Sequence, residues 1–204
     1  MKKCCYFILV LIVASLNAYS QRFEGGFIGG FNASQVDGDL YKGYHKPGVA
    51  LGGYVQTQLS RTVYAGMELK FMQKGSRNID SLAVDGQIKY IMRLNYADLP
   101  VYLGIRTSEK ISLLVGVSPG FLLSGIEYND YGKFPEQDQK PFNSFDFQGW
   151  LGFRFQITRR LCVDLRGAYS LMPIRKQQGE ALWYWKSNQF NNLLSTSVLY
   201  RLDI

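Results

Sequence analysis

The chain has 204 residues, with 23 basic and 16 acidic side chains and one histidine, a formal net charge of +7. That length suits one domain, and so mild a basic excess names no charged partner, nucleic acid included. With three cysteines and one histidine, the composition is too poor for a disulfide-stapled scaffold or a clustered metal site.

The N-terminus reads Met-Lys-Lys, an apolar run over Tyr6–Ala14, and small residues Ala18 and Ser20 at the −3 and −1 positions before Gln21. A positive start, a short apolar core and small residues at a cleavage point describe a secretory signal peptide. Residues 1–20 are therefore expected to be a leader and residues 21–204 the mature domain. Cys4 and Cys5 leave with the leader and only Cys162 remains, so no internal disulfide holds the exported protein together. No later run is apolar enough for a transmembrane helix.

The remaining chain alternates with a period of two, the signature of strands and not of helices. The first strand is predicted over Arg22–Ala33, with Phe23, Phe27 and Phe31 in phase, and is followed by a polar loop at Gln35–Pro47. The second covers Gly48–Leu59, and Ser60-Arg61-Thr62 turns the chain into the third, Val63–Lys74. After a polar loop at Gly75–Gln87 comes a fourth strand, Lys89–Arg106. There Leu94 and Tyr96 share the face of Asp98, and a bulge near Asn95–Asp98, close to Pro100, is expected to restore the phase. A short turn at Thr107–Lys110 leads to the fifth strand, Ile111–Leu123, and then to a long loop, Gly125–Ser144. The sixth and seventh strands form a hairpin over Phe145–Leu171, and their alternation is the clearest in the chain. Phe145, Phe147, Leu151, Phe153, Phe155, Leu161, Val163, Leu165, Tyr169 and Leu171 fall on one face. A fourth long loop, Met172–Asn188, precedes the last strand, Phe190–Ile204.

Each arm of that hairpin alternates for about ten residues, the length of a membrane-spanning strand and longer than the five or six usual in soluble sheets. Connections alternate long and short along the whole chain. An up-and-down arrangement then gathers every long loop at one end, as in bacterial outer-membrane barrels. The predicted fold is all-β: an eight-stranded antiparallel up-and-down transmembrane β-barrel with an apolar exterior and a polar, charged interior. Closure leaves no unpaired edge, as lipid requires. The expected interior network comprises Glu68, Lys70, Asp98, Arg106, Asp146, Arg154, Asp164, Arg166 and Arg201. Acids and bases there are close to balance, as buried charge demands. Gly52, Gly66, Gly116, Gly120 and Gly152 lie on the same face and make room in a narrow lumen. Phe27, Phe71, Phe121, Phe153, Phe155, Tyr169 and Tyr200 lie on the other, where those near strand ends would form aromatic girdles. A soluble lipocalin-like carrier would turn these faces the other way round.

Several short stretches carry a family resemblance. They are Gly29-Gly30-Phe31-Asn32-Ala33-Ser34 leading to Asp37-Gly38, Lys46-Pro47-Gly48, Glu68-Leu69, Gln73-Lys74-Gly75-Ser76, and Tyr96-Ala97-Asp98-Leu99-Pro100-Val101. With these the chain resembles the PorT-type outer-membrane β-barrel family of Gram-negative bacteria over nearly its whole mature length. Asp98 stands where that family usually has Glu. The resemblance implies an outer-membrane location, a barrel without enzymatic activity and no cofactor. It also implies the barrel insertion machinery as a partner during assembly, although Ile204 ends the chain where many assembly signals end in an aromatic. A part in type IX secretion, with secretion-complex proteins as partners, is what the founding member of the family suggests.

Candidate chemistry is sparse. His45 sits in the first long loop; a barrel enzyme acting on outer-membrane lipid would need it beside a serine and an acid. Asp37-Gly38-Asp39 lacks the spacing of a calcium loop and reads as a turn, as do Asp80 and Asp85-Gly86. Trp183, Tyr184 and Trp185 form an aromatic cluster in the last long loop, suited to contact with a partner or with lipid headgroups.

Overall fold

The computed structural model describes residues 23–39, 43–78, 90–129, 131–135, 140–176 and 188–202. They form eleven strands: β1 Phe23–Asp37, β2 Lys46–Gln58, β3 Val63–Asn78, β4 Tyr90–Asp98, β5 Val101–Arg106, β6 Ile111–Asn129, β7 Gly132–Lys133, β8 Phe145–Gln156, β9 Leu161–Ser170, β10 Arg175–Lys176 and β11 Asn188–Arg201. β7 and β10 are two-residue additions at the long-loop end. The other nine make eight walls in the order β1-β2-β3-β4/β5-β6-β8-β9-β11, all antiparallel. Pairing of β1 with β11, from Gly26↔Arg201 to Asp37↔Phe190, closes the cylinder.

β4 and β5 are one wall. β3 pairs Lys70 with Asp98 and Met67 with Val101, and β6 keeps the same step, Gly120 with Asp98 and Val117 with Val101. The interruption is Pro100, which has no N–H to give to the ladder. Its carbonyl still accepts from Glu68 N at 2.9 Å, and Leu99 N donates to the Pro119 carbonyl at 2.8 Å.

Three tight turns close one end by a shared device. Ser60, Ser108 and Thr158 each accept, through the hydroxyl oxygen, the backbone N–H three residues on, from Val63, Ile111 and Leu161 at 3.1, 3.2 and 3.1 Å. A hydroxyl at this position substitutes for a backbone acceptor, so Ser and Thr recur there.

The walls obey the predicted inside-out rule at membrane depth. Phe27, Phe71, Phe121, Leu151, Phe153, Leu165 and Tyr200 are exposed on the outer face, and Phe155 and Tyr169 are half-buried there. Arg154, Asp164 and Arg166 between them are buried within. A lipocalin-like carrier is therefore excluded: its apolar face would point the other way. The outer apolar band stops at one level. Above Phe71 and Ala97 come Gln73 and Asn95, partners in register. Above Ala33 and Leu194 come Gln35 and Asn192, also partners.

Strands continue past that level further than alternation alone predicts, and here the expectation for the fourth strand is corrected in part: the register does shift between Asn95 and Tyr96, but the phase is not restored. Leu94 and Tyr96 do not turn outward. Both are fully buried, together with Val36, Met92 and Ile174. The register slip lies on the partner strand: β6 pairs Leu122 with Tyr96 and Ser124 with Asn95, leaving Leu123 as the extra residue. The reason is the change of solvent. Beyond the bilayer the outer face meets water, so the inner face takes the apolar residues, as in any soluble barrel.

Candidate functional site

The interior at membrane depth is built largely from even-numbered residues of β3, β4, β5, β6, β8 and β9, which the pleat turns inward. Three aromatic side chains, Tyr64, Tyr102 and Trp150, and Leu114 form an apolar layer. Glycines make that layer possible. A Cβ on Gly66 would lie 2.4 Å from the Tyr102 ring, and one on Gly116 2.8 Å from Trp150.

A first group of charges spans this layer. Arg166 holds Glu68 in a two-pronged contact, with Nη1 donating to Oε2 at 2.8 Å, and also donates to Asp164. Arg154 donates to both oxygens of Asp164, at 2.7 and 2.9 Å, and to Gln56 Oε1 at 2.8 Å. Lys70 Nζ lies 2.9 Å from Glu68 Oε2. The two guanidiniums lie over aromatic faces, Arg166 4.3 Å from the Trp150 centroid and Arg154 5.4 Å from Tyr102. Paired guanidinium–carboxylate contacts of this kind are the strong ones, and stacking suits the weakly hydrated faces of Arg.

A second group lies nearer the long-loop end. Lys74 Nζ is 2.9 Å from Asp98 Oδ2, 3.3 Å from Asp146 Oδ2 and 3.0 Å from Gln148 Oε1, and sits 4.5 Å from the Tyr96 ring centroid. Ser170 Oγ and Asn191 Nδ2 donate to Asp146 at 2.7 and 3.0 Å.

Seven of the nine expected interior residues, Glu68, Lys70, Asp98, Asp146, Arg154, Asp164 and Arg166, are brought together. Arg106 and Arg201 are not. Both lie at the tight-turn rim, Arg106 exposed and bonded to Gln58 Oε1 at 2.7 Å, Arg201 half-buried and 3.2 Å from Glu24 Oε1. They are the last charges on their strands, and water reaches them there. Lys74 takes their place. It continues the phase of Lys70 and Met72, so extending the alternation one step would have found it. The corrected set has four carboxylates and four cations and is neutral among the described residues.

Above the membrane, Arg175 clasps Glu127 at 2.7 and 2.9 Å, donates to Gln189 Oε1 at 2.9 Å, and lies 4.4 Å from the Phe142 ring centroid. Tyr90 donates to the same carboxylate. Burial and then Glu127 raise the Tyr90 phenol above its ordinary value. Both Glu127 and Arg175 lie in stretches that alternation assigns to loops, which hid the pair.

His45 is exposed just before β2. Among the described residues no group of three His, Cys, Asp or Glu side chains could hold a metal. Trp183, Tyr184 and Trp185, like residues 1–20, Asp80 and Asp85, lie outside the described residues.

Family comparison agrees with this architecture. The model of the outer membrane protein beta-barrel domain matches residues 15–176. The chain belongs to that family. It is an outer-membrane protein and sits in membrane lipid. Among solved structures it is similar to Ail, the attachment invasion locus protein of Yersinia pestis, at 15% identity and a TM-score of 0.52, over 88% of this chain and 98% of that one. It is similar also to the neisserial surface protein NspA, at 9% identity and a TM-score of 0.54, over 90% of this chain and all of the other. At such identities the likeness concerns the fold. No curated protein matches the sequence.

Proposed function

We propose that this barrel is a closed, non-enzymatic anchor in the outer membrane, serving a structural or interaction role through its external end. The observation behind this reading is the filled lumen. Two charged groups and an aromatic layer occupy it. The recess among Lys70, Asp98, Gln148, Trp150 and Arg166 measures about 20 Å³, and the one among Glu24, Arg106, Arg154 and Arg201 about 50 Å³. These volumes hold isolated waters and not a conducting column. Among the described residues the lumen offers neither a path for solute nor room for a substrate, while β1, β3, β4, β6 and β11 extend past the membrane band toward the outside.

Within this reading, the PorT-type resemblance makes the barrel an accessory of type IX secretion, with secretion-complex proteins as its partners and the barrel insertion machinery as a partner during assembly. Residues 1–20 act as the cleaved leader. Two measurements test the proposal. Purified protein in planar bilayers is expected to show no unitary conductance. A deletion strain is expected to lose secreted cargo from the medium and recover it with the wild-type gene. Steady channels, or secretion unchanged by the deletion, would count against the respective half. An enzyme acting on lipid would instead lose lipid modification on His45→Ala with the barrel intact.

A further inference from the structure

Just outside the membrane band, β2, β3 and β4 each contribute one cation to a small area. Ser34 Oγ joins them by donating to the carbonyls of Lys46, at 3.3 Å, and Gly75, at 2.9 Å. Gly75 pairs in turn with Arg93, and Arg77, two residues further, pairs with Ile91. Lys46, Arg77 and Arg93 thus lie on three adjacent strands at one height. Their charges are felt at Lys46: burial first, then Arg93 and Arg77, push its ammonium below its ordinary value.

No carboxylate answers them among the described residues. Lys46 Nζ donates to the Pro47 carbonyl at 2.7 Å. Arg77 Nε is buried and bonds to nothing. Arg93 is exposed and lies over the Tyr128 ring, 5.7 Å from its centroid. The contrast with the lumen is direct, since every cation there has an acid. Like charges crowded together, with one guanidinium N–H orphaned, cost stability unless an anion joins them.

Height identifies the anion. The apolar band ends with Phe71 and Ala97, and its first polar step is Gln73 with Asn95. Arg93 is one outward-facing step higher, about 5 Å along the membrane normal for a strand tilted as in these barrels. That is the level of lipid headgroups. We propose that Lys46, Arg77 and Arg93 form a binding site for the phosphate of a lipid headgroup in the external leaflet. A phosphate has three oxygens that accept charge-assisted bonds from both guanidiniums, and Arg matches its geometry in pairs of bonds. Lys46 supplies a point charge from behind. This goes beyond the anchoring role and does not depend on secretion: a barrel with no secretory part would keep the site.

The test uses the full mature barrel refolded in phosphate-free alkyl maltoside micelles doped with a fluorescent bisphosphorylated glucosamine lipid, or with its dephosphorylated form. Retention of the lipid on the purified protein is measured. Wild type is expected to retain the phosphorylated lipid and release the other. Arg77→Gln with Arg93→Gln should lower retention at least about tenfold, whereas Arg77→Lys with Arg93→Lys should fall between the two, keeping the charge and losing the paired bonds, and Arg106→Gln should keep all of it. The resistance of each folded variant to unfolding in a heated gel confirms that the barrel is intact. Equal retention by the double Gln variant would overturn the site. Equal retention of the dephosphorylated lipid would overturn phosphate as the ligand. Inorganic phosphate binding to the detergent-solubilised protein as tightly as the lipid would replace a lipid site by one for soluble anions and overturn the assignment.

Discussion

Lys74 reaches its carboxylate from four residues away: β3 pairs Lys70 with Asp98, yet Lys74 Nζ lies 2.9 Å from Asp98 Oδ2. The side chain leans down the lumen wall and also meets Asp146. Among the described residues it is the one cation in direct ion-pair contact with either acid of this upper group. Lys74→Met should therefore cost about 3–5 kcal/mol, the usual effect of stranding buried charge. Urea unfolding in lipid vesicles measures it. Arg106→Gln and Arg201→Gln remove rim charges and should stay within about 0.5 kcal/mol of wild type. A loss at the rim equal to that at Lys74 would contradict the boundary drawn between lumen and rim.

Leu165 is 44% exposed in the middle of β9 and faces outward. In a bilayer that exposure is to hydrocarbon. Leu165→Arg should cost about 2–4 kcal/mol near the midplane, read as a lower urea midpoint in vesicles. Unchanged stability would place Leu165 in contact with water.

Tyr64 and Tyr102 cover each other's neighbouring glycines. β3 and β5 pair Tyr64 with Gly104 and Gly66 with Tyr102. The rings meet edge to face at 6.3 Å between centroids. Gly66→Ala should lower stability by about 1–3 kcal/mol, because a methyl group overfills the layer. Gly29→Ala is the comparison: the nearest atom to its added Cβ is Leu51 Cδ2 at 3.7 Å, ordinary contact. Thermal unfolding of the two variants side by side separates overpacking from a general intolerance of alanine in these strands.

Leu94 is fully buried above the membrane with Val36, Met92 and Ile174. Leu94→Ala should cost about 2–5 kcal/mol by leaving a cavity. Hydrogen exchange in β4 and in the last residues of its partners β3 and β6 should speed up at this end before the tight-turn end responds. Protection lost evenly along the barrel would mean that the two ends do not open separately.

Sequence alternation identified the eight walls, the three tight turns and the lumen facing of Glu68, Asp146, Arg154 and Asp164, because a wall between lipid and lumen must alternate along its length. It failed where that constraint ends. Leu94 and Tyr96 are out of phase only against the rule that holds in lipid. Asn95 and Arg93 on the opposite face were the sign that water had replaced lipid outside. Glu127 and Arg175 were hidden for the same reason, lying in stretches too polar on one side to read as membrane strand. Lys74 was legible and lay one alternation beyond the predicted network. The cluster of Lys46, Arg77 and Arg93 needed the pairing of three strands, which no single stretch of sequence contains.

The exchange of apolar and polar faces above Phe71 and Ala97 also fixes how deep the molecule floats. Sinking by one pleat would drag Gln73, Asn95 and then Arg93 into oil, and rising would bare Phe71 to water. The barrel is thus a gauge of bilayer thickness, matched to a hydrocarbon layer of about 25 Å. Thicker membranes would have to thin around it, so it should gather in the thinnest patches available.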